Sequence, residues 1–198
     1  EHDLNMDEEV SIIDTNTRNE KIRNFFIINK KMIITISVVL ILILLSFYSY
    51  QKYKDRHREW LANKYNSAVI QYETGDKSQI LSSMKTIIED KDSTYSPLAL
   101  YFLIDNNLIE DQDQTNDLFN IVINDVNLEK EIKNLIIYKK ALFNSNFVDE
   151  NELIQMLNPI INSGSIWKSH ALYLLAEYFY SKNEKQKTKE FFNQILIL

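Results

Sequence analysis

Nineteen consecutive residues without a charge, Met32 to Tyr50 (MIITISVVLILILLSFYSY), constrain this chain more than any other feature. As a helix rising ~1.5 Å per residue the stretch reaches roughly 28 Å, the thickness of a bilayer's hydrocarbon core, and it satisfies its own backbone without water. Lys30-Lys31 precede it, Lys52, Lys54, Arg56 and Arg58 follow it, and Phe47, Tyr48 and Tyr50 fall where amphipathic rings settle at a lipid–water boundary. A globular core helix rarely runs so far without a charge. A cleaved signal peptide has a shorter apolar region and a small-residue cleavage site after it, and neither is present here. The segment is therefore expected to be a retained transmembrane anchor.

The remainder reads as helix. Only two glycines and two prolines occur, far too few for the turns of a sandwich or barrel. There is no cysteine, which excludes disulfides and thiolate chemistry. Residues 1–31 form an acidic tail, expected to be disordered up to Asn19, followed by a basic juxtamembrane segment in which Ile22, Phe25, Phe26 and Ile27 alternate with Lys21, Arg23, Lys30 and Lys31. That segment suits either a short helix on the membrane surface or an extension of the transmembrane helix. Residues 51–58 are a polar stalk that prolongs the anchor, and residues 59–198 form the main domain. Lys and Arg are balanced across the two flanks, so charge alone does not orient the span. Because a long domain after one anchor translocates largely regardless of its own charge, the tail is expected in the cytoplasm and the domain outside the inner membrane.

A repeat is hidden in the domain. Leu172, Leu175, Ala176 and Phe179, then Thr188, Phe192 and Ile195, follow the tetratricopeptide pattern in degenerate form. Stepping backwards by 35, 37 and 36 residues aligns three columns: Ala176, Ala141, Ile104 and Ala68; Ile195, Ile160, Ile123 and Ile87; and Tyr173, Tyr138, Tyr101 and Tyr65. Four of only eleven tyrosines keep this register. The pattern predicts about four helical hairpins: Glu59 to Glu73 with Ser78 to Glu89, Pro97 to Asn106 with Thr115 to Asn124, Glu129 to Asn144 with Glu150 to Ile161, and Trp167 to Ser181 with Lys185 to Leu198. The fold class expected is all-α, one N-terminal transmembrane helix followed by a tetratricopeptide-like α-solenoid. Pro159 should kink or shorten its helix near the end. Solenoids require a polar cap, so the apolar Ile195 to Leu198 implies that the chain continues beyond Leu198 or that this end docks on something.

The segment from Lys21 to Phe25 with Phe26, then Asn29-x-Lys31, one anchor, Gly75-Asp76 and Thr94-Tyr95-Ser96-Pro97-Leu98-Ala99 together resemble the YfgM-type ancillary subunit of the SecYEG translocon. The resemblance spans nearly the whole chain. It implies a single-pass inner-membrane protein whose periplasmic repeats work beside the translocon and a membrane-anchored periplasmic chaperone, touching exported clients. A structural or assembly subunit of another envelope or respiratory complex, docked through its transmembrane helix, is the alternative.

No residue set points to catalysis. His2, His57 and His170 are the only histidines and have no metal-ligand spacing, there is no glycine-rich phosphate loop, and acid pairs such as Asp111 and Asp113 fall in turns. No cofactor, small-molecule substrate or nucleic acid is expected, since the acidic domain carries no basic stripe. A surface remains. In tetratricopeptide arrays the first helix of each pair lines a concave groove, where Tyr65, Tyr101, Tyr138 and Tyr173 would offer flat faces and hydroxyls to a protein segment. The same rings could instead pack between helices as core. Val69, Asp105, Leu142 and Glu177, one turn on, should share whichever face the tyrosines take.

Overall fold

The computed structural model describes residues 18–198, so most of the acidic tail lies outside the described residues. Every regular element among the described residues is α-helical: α1 (18–28), α2 (Lys30–Gln71), α3 (Lys77–Glu89), α4 (Tyr95–Asp105), α5 (Gln112–Asp125), α6 (Lys130–Asn144), α7 (Glu150–Ile161), α8 (Lys168–Ser181) and α9 (Lys185–Leu196). The chain divides into two compact units, Glu1–His57 and Arg58–Leu198.

In the first unit, α1 meets α2 at a turn on Asn29. The Asn29 amide donates to the Phe25 carbonyl at 3.0 Å and the Asn29 carbonyl accepts from the Ile33 amide at 2.9 Å, so the helical ladder carries across the turn. Of the two expectations for this segment, extension of the long helix is the one these bonds describe. The predicted span, stalk and first domain helix are parts of one helix, α2, and its N-terminal part is long and apolar enough to cross a membrane. Its apolar side chains from Met32 to Tyr50 are exposed, with Ile33 alone half-buried among the large ones. Thr35 donates its hydroxyl to the Lys31 carbonyl at 2.9 Å, so this polar group is satisfied within the helix itself.

The second unit is held by local turn chemistry and by burial. Asp76, Asp111 and Asp149 stand at helix N-caps and their carboxylates accept the orphan amides of Ser78 (2.8 Å), Asp113 and Gln114 (2.8 and 3.1 Å), and Glu152 (2.9 Å). Helices α4 and α8 end on left-handed Asn107 (φ 51°) and Asn183 (φ 62°), with amide bonds from Leu108 to the Leu103 carbonyl and from Glu184 to the Phe179 carbonyl, both 2.9 Å. The glycines are used differently. A Cβ on Gly75 would stand 2.7 Å from the Gln71 carbonyl oxygen, whereas Gly164 has open space around it and a φ of +63°. Helix α4 opens at Tyr95, two residues before the predicted Pro97, and α7 runs only two residues past Pro159. The early placement leaves the proline in the first turn, where its missing N–H has no intrahelical partner to lose.

From α3 onward each helix packs on the next, and α3 also meets α5 and α6 meets α8. Ala68, Ala141 and Ala176 are buried where helices approach, as are Ile87 and Ile160 of the second column. The apolar interior is not one continuous core. Leu61, Ile87, Leu100, Leu103, Phe119 and Ile136 belong to one cluster, and Ala141, Leu153, Leu157, Leu175 and Phe179 to another. Helices α5 and α6 also share a polar seam. Asn144, almost fully buried, accepts from Gln112 (3.1 Å) and Asn116 (3.0 Å) and donates to the Asn116 oxygen (2.7 Å) and the Lys140 carbonyl (2.8 Å), while the Lys140 ammonium donates to Asn120 at 2.7 Å. Every hydrogen-bonding group of the Asn144 carboxamide is thereby used, which makes its burial tolerable.

Gly164→Ala is expected to cost about 1 kcal/mol in denaturant unfolding of the detergent-solubilised chain, because the added methyl meets no atom but the left-handed backbone is strained; Gly164→Asn should cost less. Leu42→Arg places a charge mid-span at a cost of ~3 kcal/mol on insertion scales, and should shift the chain from the carbonate-resistant membrane fraction to the soluble fraction.

Candidate functional site

The tyrosine column divides. Tyr65, on the part of α2 within the second unit, is half-buried against Tyr95 (ring centroids 6.1 Å) and Phe102 (6.4 Å). Tyr101 on α4 is half-buried, with the Lys139 ammonium of α6 4.4 Å above its ring centroid. Its hydroxyl is buried and finds no hydrogen-bond partner among the described residues. Tyr138 on α6 lies stacked at 6.4 Å on Trp167, with His170 edge-on at 6.0 Å. Tyr173 on α8 is 48% exposed and touches only the Phe192 ring, at 5.9 Å, among the described aromatic rings. Three members of the column therefore pack at the edge of the apolar interior and the fourth stands out from it.

Their companions one turn on all reach solvent: Val69 (38% exposed), Asp105, Leu142 (47%) and Glu177. The structure brings several of the predicted residues together across helices. The Glu177 carboxylate is near enough to raise two phenols: it holds Tyr173 above its ordinary value by hydrogen bonding and charge, and after burial it does the same for Tyr138. Tyr65 is raised by burial alone. The arrangement is an edge of half-buried rings bordered by exposed aliphatic side chains and two carboxylates. Its apolar faces and hydrogen-bonding groups suit contact with an apolar segment. Among the described residues no group of three His, Asp or Glu side chains is placed to hold a metal ion.

Three features escaped the sequence reading. Trp167 and His170 complete the ring cluster on Tyr138, and Glu131 holds the turn that carries Trp167. Its carboxylate accepts from the Ser165 hydroxyl (2.6 Å) and the Ile166 amide (3.2 Å), while its carbonyl accepts from the Trp167 indole N–H (3.1 Å). The Ser165 bond is the largest cause holding the Glu131 carboxyl below its ordinary value. The second feature is the carboxamide seam, whose signal was present: the repeat register puts Asn116 and Asn120 in columns otherwise filled by Ile80, Leu153 and Thr188, and by Met84, Leu157 and Phe192. The third is an open groove of about 430 Å³ between α2 and α3 beside Trp60.

No family model, curated protein or solved structure matches this chain.

Burial, and then the Asp105 carboxylate, push the Tyr101 phenol up to about 12 from 10.0. The fold thus favours the neutral phenol: this contribution to stability is complete below the unfolded-chain value and is lost as pH rises through the folded one. Tyr101→Phe keeps the ring, removes a buried hydroxyl without a partner, and is expected to leave stability equal or up to ~1 kcal/mol higher at neutral pH. It should also flatten the loss of stability between pH 10 and 12, followed by denaturant unfolding at stepped alkaline pH.

Proposed function

We propose that this chain is a membrane-anchored, non-enzymatic protein-interaction scaffold. Its helices α2 to α9 are taken as four tetratricopeptide-like hairpins, the first of them using the C-terminal end of α2, with the tyrosine column along the concave face. The observation that carries the proposal is the recurrence on that face. At the same register α2 and α6 expose Val69 and Leu142 and α4 and α8 expose Asp105 and Glu177, one turn from the column of rings, of which Tyr173 is itself exposed. Exposed aliphatic and aromatic side chains rimmed by carboxylates suit an extended or helical segment with apolar anchors and flanking lysine or arginine.

Following the resemblance in the sequence, the scaffold is an ancillary subunit of the SecYEG translocon in the inner membrane. Its N-terminus is cytoplasmic, its repeat domain periplasmic, and it links exported clients to a membrane-anchored periplasmic chaperone. The helix long and apolar enough to span a bilayer supports the anchor. Mild-detergent purification of the tagged chain with mass spectrometry is expected to recover SecYEG and such a chaperone; recovery of neither sinks the translocon assignment. Reporters fused at each end should place the termini on opposite sides of the membrane. Tyr173→Ala combined with Leu142→Asp removes two exposed anchors, and should lower partner recovery at least tenfold while leaving helicity and membrane insertion unchanged.

A further inference from the structure

Charge in the first unit is lopsided. Residues 18–57 carry eight lysines and arginines against two carboxylates, Glu20 and Asp55, and none of the eight is ion-paired with another described residue. They fall in two groups, Arg18, Lys21, Arg23, Lys30 and Lys31 before the uncharged run and Lys52, Lys54 and Arg56 after it. Lys31 and Lys52 lie roughly 32 Å apart along a helix, which sets the two groups at the two faces of a bilayer whose hydrocarbon core is about 30 Å thick.

The groups differ in what surrounds them. Lys52, Lys54 and Arg56 lead away from the apolar run into polar sequence. Lys30 and Lys31 instead stand between two apolar stretches, Met32 onward on one side and Phe25, Phe26, Ile27 and Ile28 on the other, all four of the latter more than half exposed. The bonds at Asn29 join the stretches into one helical surface, which from Phe25 to Tyr50 measures roughly 38 Å. That exceeds the hydrocarbon core and fits within the ~40–45 Å that includes the headgroup layers. Taking Phe25 and Phe26 out of water therefore draws Lys30 and Lys31, about 6–9 Å further along, to the depth of the lipid phosphates. An ammonium at that depth is costly without a counter-charge.

A zwitterionic headgroup offers a phosphate already balanced by its own cation, so two adjacent lysines beside it stay in excess. An anionic headgroup has no such internal cation. Arg23 adds a third contact, since it precedes Lys30 by two turns and shares its face of the helix, with Phe26 and Ile27 between them. We infer that Lys30, Lys31 and Arg23 form a headgroup site for an anionic phospholipid. The lysines reach its phosphate from the hydrocarbon side and Arg23 from the water side, with Phe26 and Ile27 in the interfacial layer between. The inference rests on the reading of α2 as a membrane span, and it needs neither the tetratricopeptide-like array nor any protein partner.

The test uses the full-length chain reconstituted in phosphatidylcholine vesicles doped with spin-labelled phosphatidylglycerol or spin-labelled phosphatidylcholine. The motionally restricted share of each electron spin resonance spectrum measures the lipid held at the protein surface. At low salt phosphatidylglycerol is expected to be retained at least about threefold more strongly, less than the roughly fivefold of one interfacial lysine because uncharged positions around the helix share the signal. Lys30→Gln combined with Lys31→Gln should abolish the preference, and Lys30→Arg with Lys31→Arg should keep it. Lys52→Gln with Lys54→Gln should leave most of it in place. Equal retention of the two lipids overturns the site. So does an equal loss in the Lys52 and Lys54 variant, which would make the preference one of net charge. A preference seen only after removal of residues 1–17 would make the acidic tail, not lipid, the counter-charge. Flotation of the same vesicles tests the span separately: a chain that floats without lipid preference overturns the headgroup site alone, whereas one that does not float overturns the anchor and the site with it.

Discussion

A short amphipathic helix gains little by folding alone, since its apolar stripe stays wet until another helix covers it. Everything in the second unit follows from that constraint. Residues such as Ile87, Leu103, Leu157 and Leu175 reach essentially complete burial because neighbouring helices in the chain lie over them. Small side chains at Ala141 and Ala176 let the backbones come close enough for this to happen. The aspartate caps and left-handed asparagines set where each helix stops, but they contribute tenths to a few kcal/mol, and burial decides the arrangement.

The same constraint explains why the interior is split. Where α5 meets α6 the positions that elsewhere hold Ile, Leu, Thr, Met or Phe hold Asn116 and Asn120, and the facing helix answers with Lys140 and Asn144. Burial lowers the Lys140 ammonium from its ordinary value, the sign of a cation kept in an awkward place by its hydrogen bond to Asn120. A seam of satisfied carboxamides is directional, whereas an apolar contact is not. It therefore fixes which helix face meets which, at the expense of the burial that leucines there would give. The two apolar clusters share α6, which sends Ile136 and Phe143 to one and Ile137, Tyr138 and Ala141 to the other.

Much of this was legible in the chain. The helices fall within a few residues of the positions read from the three repeat columns, because amphipathic periodicity and Asp, Asn, Gly and Pro signals are local properties. The fate of the tyrosines was less so. Their register said that they share one face of successive helices. Whether a ring at that register is core or surface depends on what the next helix places beside it: Phe102 and Tyr95 half-bury Tyr65 and Trp167 covers Tyr138, whereas among the described rings Tyr173 meets Phe192 alone. The carboxamide stripe could have been found by reading the same columns for polar intruders; the clamp from Glu131 onto Ser165 and Trp167, separated by more than thirty residues and lacking any motif, could not.

By itself, then, the order of residues determined an uncharged helix long enough for a bilayer, an all-helical domain after it, the ends of most helices and a spacing that recurs. These depend on neighbours within a turn or two, and short-range sterics and hydrogen bonding are written directly in the sequence. Only the tertiary structure decided that the interior forms two cores rather than one, that Tyr101 hides its hydroxyl, and that a polar slot beside Trp60 stands open. Those outcomes are settled by which side chains distant in the chain arrive at the same place, and burial, unlike helicity, belongs to a pair of surfaces and not to either one.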